Sequence, residues 1–254
     1  MLWLALVVPL IGSVLTALAL NGLGLGGDSE PAPSATQEDA PSGTPSTAPF
    51  TVTARQENEA GCTALPRLLS SPGDRADIAT GGDVNAIVRR NQGARAAGLL
   101  VGLTLEGGAS SLTITSIDIK PKSPRLAPPL SGTLLCEPGA GGESKIQLFA
   151  DMDNPEPAFV TGQDSKQRYF RDKVITLKPG EQVNLSANFT AEKGSRDFDL
   201  FIRYVKNGKE ATMSVPAPKG GRYAVTGCSA KYRAVYTGSP GGVFRRVDDP
   251  RLCR

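Results

Sequence analysis

KVITLKPGEQVNLSANFTAEKGSRDFDLFIRYVKNGKEATMSV, residues 173–215, decides the fold class. Val183, Leu185, Ala187 and Phe189 alternate with Gln182, Asn184, Ser186 and Asn188. A period of two gives a strand with one buried and one wet face. After a short break, Phe198, Leu200, Ile202 and Tyr204 repeat the pattern. Asn207-Gly208 supplies the two left-handed residues that a two-residue hairpin needs, and the chain returns through Ala211, Met213 and Val215. Lys178-Pro179-Gly180-Glu181 forms a further turn, with Pro and Gly where turn geometry favours them. Strands of this length at this spacing predict an all-β domain, an Ig-like or related β-sandwich.

Upstream, the same period continues. Leu99, Val101, Leu103 and Leu105 alternate, then Leu112 and Ile114, then Ile117 and Ile119. The slip at Ser116 predicts a β-bulge, and Gly107-Gly108 between the two runs predicts a tight hairpin. Residues 130–136 and 144–150 are further strand candidates, as are 50–55 and 222–226. Asp83–Gln92 breaks the period: Val84, Ile87 and Val88 have helical spacing, Asp83 can cap the start, and Gly93 can end it. This is the one short helix expected.

The N-terminal end sets the compartment. Met1–Leu25 carries no charged side chain. Leu2–Leu20 as a helix spans about 28 Å, close to the hydrocarbon thickness of a bilayer. A single transmembrane anchor and a cleaved signal peptide both remain open. The anchor fits the length better, since no Lys or Arg precedes the apolar core. The short N-terminus is placed in the cytoplasm and the bulk of the chain outside the membrane, with secretion after cleavage as the alternative. Gly22–Gly27 resembles a nucleotide-binding loop only superficially, because no strand and helix frame it. Residues 28–49 are rich in Pro, Ser, Thr and Ala without a large apolar residue, the composition of a disordered stalk. The organisation read from the sequence is therefore an anchor over 1–27, a stalk over 28–49 and an extracytoplasmic domain over 50–254.

Four cysteines, Cys62, Cys136, Cys228 and Cys253, form no CxxC pair. On an exported chain an even count reads as two disulfides, and three pairings are open. Histidine is absent. This excludes Ser-His-Asp and Cys-His catalysis and the usual zinc sites. No residue pattern calls for a cofactor, and no catalytic residue is assigned.

The order of elements resembles the extracytoplasmic part of actinobacterial membrane proteins of uncharacterised function. The resemblance rests on the stalk, on Cys62-Thr-Ala-Leu-Pro, on LTLEG at Leu103–Gly107, and on PPLSGTLLC at Pro128–Cys136. It would cover residues 50–254. Some members carry a cytoplasmic helix-turn-helix domain, which is not found in this sequence. The resemblance implies no catalytic residue.

Two stretches are candidate sites. Asp151, Asp153, Asn154 and Glu156 gather oxygen ligands that could suit calcium, but the glycine and distal glutamate of a standard calcium loop are missing. Asp151 and Asp153 are also the only carboxylate pair considered for an exported hydrolase. The net charge of +3 is unevenly spread, at +6 from Lys219 onward and −3 before it. In that basic tail Lys231, Arg233, Arg245, Arg246 and Arg251 are interleaved with Tyr232, Tyr236 and Phe244. On an exported domain nucleic acid is left out, so an anionic surface is the partner these residues suggest. The function expected is a membrane-anchored, non-enzymatic binding domain that contacts an envelope protein or anionic cell-wall polymer. The alternatives are the carboxylate hydrolase and a purely structural surface protein.

Overall fold

The computed structural model describes residues 48–57, 61–138, 146–239, 242–248 and 253. The apolar N-terminal stretch, most of the Pro-rich segment, and Arg251 lie outside these residues. Among the described residues no helix is long and apolar enough to cross a membrane.

In chain order the elements are β1 (Phe50–Gln56), β2 (Gly61–Leu65), α1 (Pro72–Thr80), α2 (Val84–Arg90), β3 (Ala94–Ala96), β4 (Gly98–Gly107) and β5 (Leu112–Pro121). Then come β6 (Thr133–Glu137), β7 (Ile146–Asp151), α3 (Tyr169–Asp172), β8 (Ile175–Leu177) and β9 (Gln182–Thr190). The last are β10 (Ser195–Lys206), β11 (Lys209–Val215), a 3₁₀ turn at Pro218–Gly220, β12 (Tyr223–Thr226), β13 (Ala234–Gly238) and β14 (Phe244–Val247).

They form two mixed sheets. The smaller runs β1-β4-β9-β7, with β7 parallel to β9. The larger runs β14-β13-β6-β2-β3-β12-β10-β5-β8, and β11 also pairs with β10. The main core lies between the smaller sheet and the β12-β10-β5-β8 part of the larger one. Leu103, Leu105, Leu185 and Phe189 from one side meet Ile114, Phe198, Leu200 and Ile202 from the other, all fully buried. Phe189 and Phe198 touch across the sandwich at 4.7 Å between ring centres. The rest of the larger sheet forms a lateral wing, on one face of which α1 and α2 pack through Ile78 and Ile87. Its other face carries the bridge Cys62–Cys136, which joins directly opposed residues of β2 and β6.

The alternating stretch folds as expected. Lys206 pairs with Lys209 across Asn207 and Gly208, whose φ angles of 50° and 72° fit a type I′ turn. The β10–β5 register shifts where Arg203 faces Ser116 and Tyr204 faces Ile114, which is the bulge read from the sequence slip.

Three expectations are corrected. Gly107-Gly108 does not close a hairpin. The chain crosses there from one sheet to the other, since β4 pairs with β1 and β9 while β5 pairs with β10 and β8. The Lys178–Glu181 turn makes a second crossing beside it, and the two are tied by Gly107 N–H to Glu181 O at 2.9 Å and Gly180 N–H to Gly107 O at 2.9 Å. Helix content exceeds one helix: α1 and α3 join α2. Ser71 caps α1, Pro72 opens it, and Gly81 closes it at φ 80°. Asp83 caps α2 as read, but the left-handed residue after it is Gln92, and Gly93 serves instead to let Leu65 and Val88 come close. The tail forms two strands and a disulfide. β13 runs parallel to β6, β14 closes on β13, and Cys253 is bonded to Cys228.

A Cβ at Gly107 would stand 2.0 Å from the Lys178 carbonyl oxygen, part of the backbone of the second crossing. Gly107→Ala is therefore expected to cost about 1–3 kcal/mol. Urea unfolding should show a lower midpoint with an unchanged slope. Gly162→Ala, whose new Cβ meets only Ser165 at 3.8 Å, should stay within about 0.5 kcal/mol of the parent.

Candidate anion-binding groove

The sandwich has two unlike ends. Phe50 pairs with Gly107, so the chain enters beside the two crossings and the Asn207-Gly208 turn, where connections are short. Gly98, Asp151 and Thr190 share the opposite end through their pairings, and Ser195 and Thr226 join them there through the contacts of Ala97. That end carries the long connections 122–132, 152–174 and 216–222. β1 runs from the first end toward the second, a rise of roughly 20 Å over its seven residues.

A groove of about 600 Å³ opens beside the far part of β1. Its walls are Ala54–Gln56 of β1, the Asn85-Val88-Arg89 face of α2, and the loop Pro218–Arg222. Four cations line it, Arg55, Arg89, Lys219 and Arg222, against one carboxylate, Glu137. Arg55, Arg89 and the Lys219–Arg222 loop are far apart in sequence, and no local pattern joins them.

The wall formed by α2 is clamped from both sides. Behind it, Arg90 donates its Nε–H to Asp74 at 2.8 Å, and Asn91 donates to the other carboxylate oxygen at 3.0 Å. Arg90 also reaches Asp77 at 3.3 Å. In front, Arg222 donates to the carbonyl oxygens of Gln92 and Gly93 just past the helix end, and to the Asp197 carboxylate. A cation at helix-terminal carbonyls is favoured by their aligned dipoles. At the floor Tyr223 is buried and donates to Pro216 O at 2.9 Å. Burial, and secondarily Asp199, pushes its phenol well up, so it stays protonated. Arg95 is buried beside Thr63 and lies 3.8 Å from Glu137. Burial lowers its pKa from the ordinary value, and the Glu137 charge opposes that.

The sequence-derived candidates lie elsewhere. Asp151, Asn154 and Glu156 line a second groove of about 500 Å³ at the same end, while Asp153 does not. Asp153 accepts from the backbone N–H groups of Glu192 and Lys193 at 2.8 and 2.9 Å. The Asp151 and Asn154 side chains accept from the N–H two residues on, as short polar turns do. Buried Arg196 donates to the carbonyl oxygens of Asn154 and Pro155, placing a cation where a calcium ion would need neutral and anionic oxygens. Among the described residues no three acidic or sulfur side chains gather to hold a metal. The pair Asp151 and Asp153 is not convergent, since one lines the groove and the other holds backbone.

The basic tail is dispersed. Lys231 and Arg233 are exposed on the approach to β13. Arg245 and Arg246 are successive residues of β14, so they project to opposite faces. The two tail residues that do line the cationic groove are its first, Lys219 and Arg222. Only the fold brings Lys219 and Arg222 against Arg55 and Arg89.

No protein-family model, curated protein or solved structure matches the chain.

The Asp74 clamp gives a pH signature. The hydrogen bond from Arg90, and next that from Asn91, hold its carboxyl below the ordinary 3.8. A lowered folded-state pKa contributes stability above the unfolded value, and that stability is lost as pH falls through the folded value. Asp74→Asn is expected to lower stability at neutral pH and to flatten the acid decline below about pH 4. Urea titrations from neutral to strongly acid pH measure both. An acid decline in the variant as steep as in the parent would refute the assignment.

Proposed function

We propose that this chain is an exported, non-enzymatic binding domain, held at the membrane by its apolar N-terminal stretch, that presents the end carrying its long connections to a partner in the cell envelope. The observation that carries this is the asymmetry of the sandwich. Tight turns cluster where the chain enters at Phe50, and the long connections and both grooves cluster at the other end. Binding residues concentrate on loops held by a rigid scaffold. Two disulfides support placement in an oxidising compartment. The absence of histidine supports binding over acid–base chemistry. The partner classes favoured by the charge are an envelope protein with an acidic face and an anionic wall polymer.

Protease treatment of intact cells expressing the full chain with a C-terminal tag tests the placement. Trypsin has no site before Arg55, so a broad-specificity protease is required. The expected product is a tagged fragment starting near Ser46, where the compact unit begins. A tag that stays protected until the cells are lysed overturns export.

A further inference from the structure

The geometry points to the groove between β1, α2 and the 218–222 loop as the binding site for a linear polyanion, whose phosphate or carboxylate groups are held by Arg55, Arg89 and Lys219. This deepens the reading above, and rests on it for the compartment.

Three observations carry the inference. First, the groove concentrates charge of one sign, with four cations around one carboxylate, in a concave site where field lines focus. Second, its cations divide by what they already hold. Arg222 is committed to Asp197 and the end of α2, so it builds the wall. Glu137 faces Arg95. Arg55 and Arg89 are exposed and hold only long contacts, 3.7 Å to the mostly buried Glu57, which also accepts from Ser186, and 3.7 Å to the exposed Asp83. Such pairs contribute only about 0–1 kcal/mol and yield readily to an incoming oxyanion. Lys219 has no carboxylate within ion-pair distance among the described residues; it is exposed and sits in a left-handed turn at φ 51°. Third, the site is preorganised. Asp74 and Arg222 clamp α2 from both sides, so Arg89 is presented without reordering the helix, which reduces the entropy cost of binding. The groove is open to solvent rather than enclosed, so an extended chain can reach its cations.

The tail cations give the internal comparison. Lys231, Arg233, Arg245 and Arg246 are as exposed as those of the groove, but line neither cavity. If the ligand is read by net charge alone, they should matter equally. If it is read by the groove, they should not.

The test uses the full chain in detergent micelles at low salt, with inorganic polyphosphate, polygalacturonate and neutral dextran as probes. The expected result is binding to one or both polyanions and none to dextran. The stronger polyanion identifies whether phosphate or carboxylate is the preferred group. Arg55→Glu/Arg89→Glu/Lys219→Glu should weaken binding at least about tenfold and make the log–log salt dependence shallower by about 2. Its thermal midpoint should match the parent. Should the triple variant fail to fold, Lys219→Glu alone, on an exposed turn, is expected to lose about threefold. Lys231→Glu/Arg233→Glu/Arg245→Glu should stay within about twofold of the parent.

The inference is overturned if neither polyanion binds, if the folded groove variants bind like the parent, or if the tail variant takes the loss. Co-sedimentation of the full chain with isolated wall material separates the two levels. Retention on the wall by a groove variant as strong as the parent's removes the groove and leaves the exported binding domain standing. A tag protected on intact cells removes the reading on which the groove rests.

Discussion

The structure depends on β10 being satisfied along both edges. Its twelve residues are flanked on one side by β5, from Phe198 to Val205, and on the other by β12 and then β11. A strand paired on both sides leaves few backbone groups to desolvate without a partner. Its inward side chains Phe198, Leu200 and Ile202 are then free to fill the space between the sheets, each contributing about 1.5–3 kcal/mol on burial. The aromatic run Phe159, Phe189, Phe198, Tyr223 continues this through the core, with centroid separations of 5.5, 4.7 and 5.5 Å. Every strand of the wing reaches the sandwich through β12 and β3, which lean on this one strand.

Short connections keep one end rigid and leave the other end to carry loops. At the first end, the paired crossings at Gly107 and Lys178–Glu181 hydrogen-bond to each other, so backbone as well as core packing ties the two sheets there. At the far end, Arg196 and Asp153 do with side chains what backbone does at the first. The guanidinium holds the carbonyls of Asn154 and Pro155, and the carboxylate holds the N–H groups of Glu192 and Lys193. A long connection can thus be ordered without becoming part of a sheet. The acidic cluster at Asp151–Glu156 is explained by that task, since short polar side chains at loop bends satisfy nearby backbone donors.

Much of the architecture was readable because it is written locally. Alternation gave the faces of β4, β5, β9 and β10, Asn207-Gly208 gave its hairpin, and Asp83 gave the start of α2. Apart from α1, α3 and the end of α2, whose signals are local, the failures are non-local. A Gly-Gly pair says that the chain turns at 107–108, but not whether the next strand pairs with the last or crosses to the opposite sheet. β13 and β14 are short, and β13 is specified by parallel pairing with β6 about a hundred residues earlier, which leaves no alternation to detect. Ser186 sits on the face expected to be wet, yet is buried, because Glu57 folds over it and accepts its hydroxyl at 3.0 Å. The groove was invisible for the same reason as β13. Its cations come from a strand, a helix and a loop that only the topology brings together.

The arginines show how one residue type is divided between holding the fold and offering charge. Arg196 and Arg95 are buried: one Nη of Arg196 donates to the Asn154 carbonyl oxygen, and one Nη of Arg95 donates to the Thr63 hydroxyl and lies 3.8 Å from Glu137. Removing the partner of such a group would leave a desolvated charge, so they are fixed. Arg90 and Arg222 are intermediate: each spans two elements and ties α2 to its neighbours. Arg55 and Arg89 are held only by contacts of 3.7 Å. Partnership rather than exposure separates these arginines, and the cations with the weakest partners are those that meet Lys219 in the groove. A surface that merely kept the domain soluble would need no such order, because scattered charge serves that purpose wherever it lies. The proposed polyanion would give these three side chains, set around one concavity beside a clamped wall, a shared charge to meet.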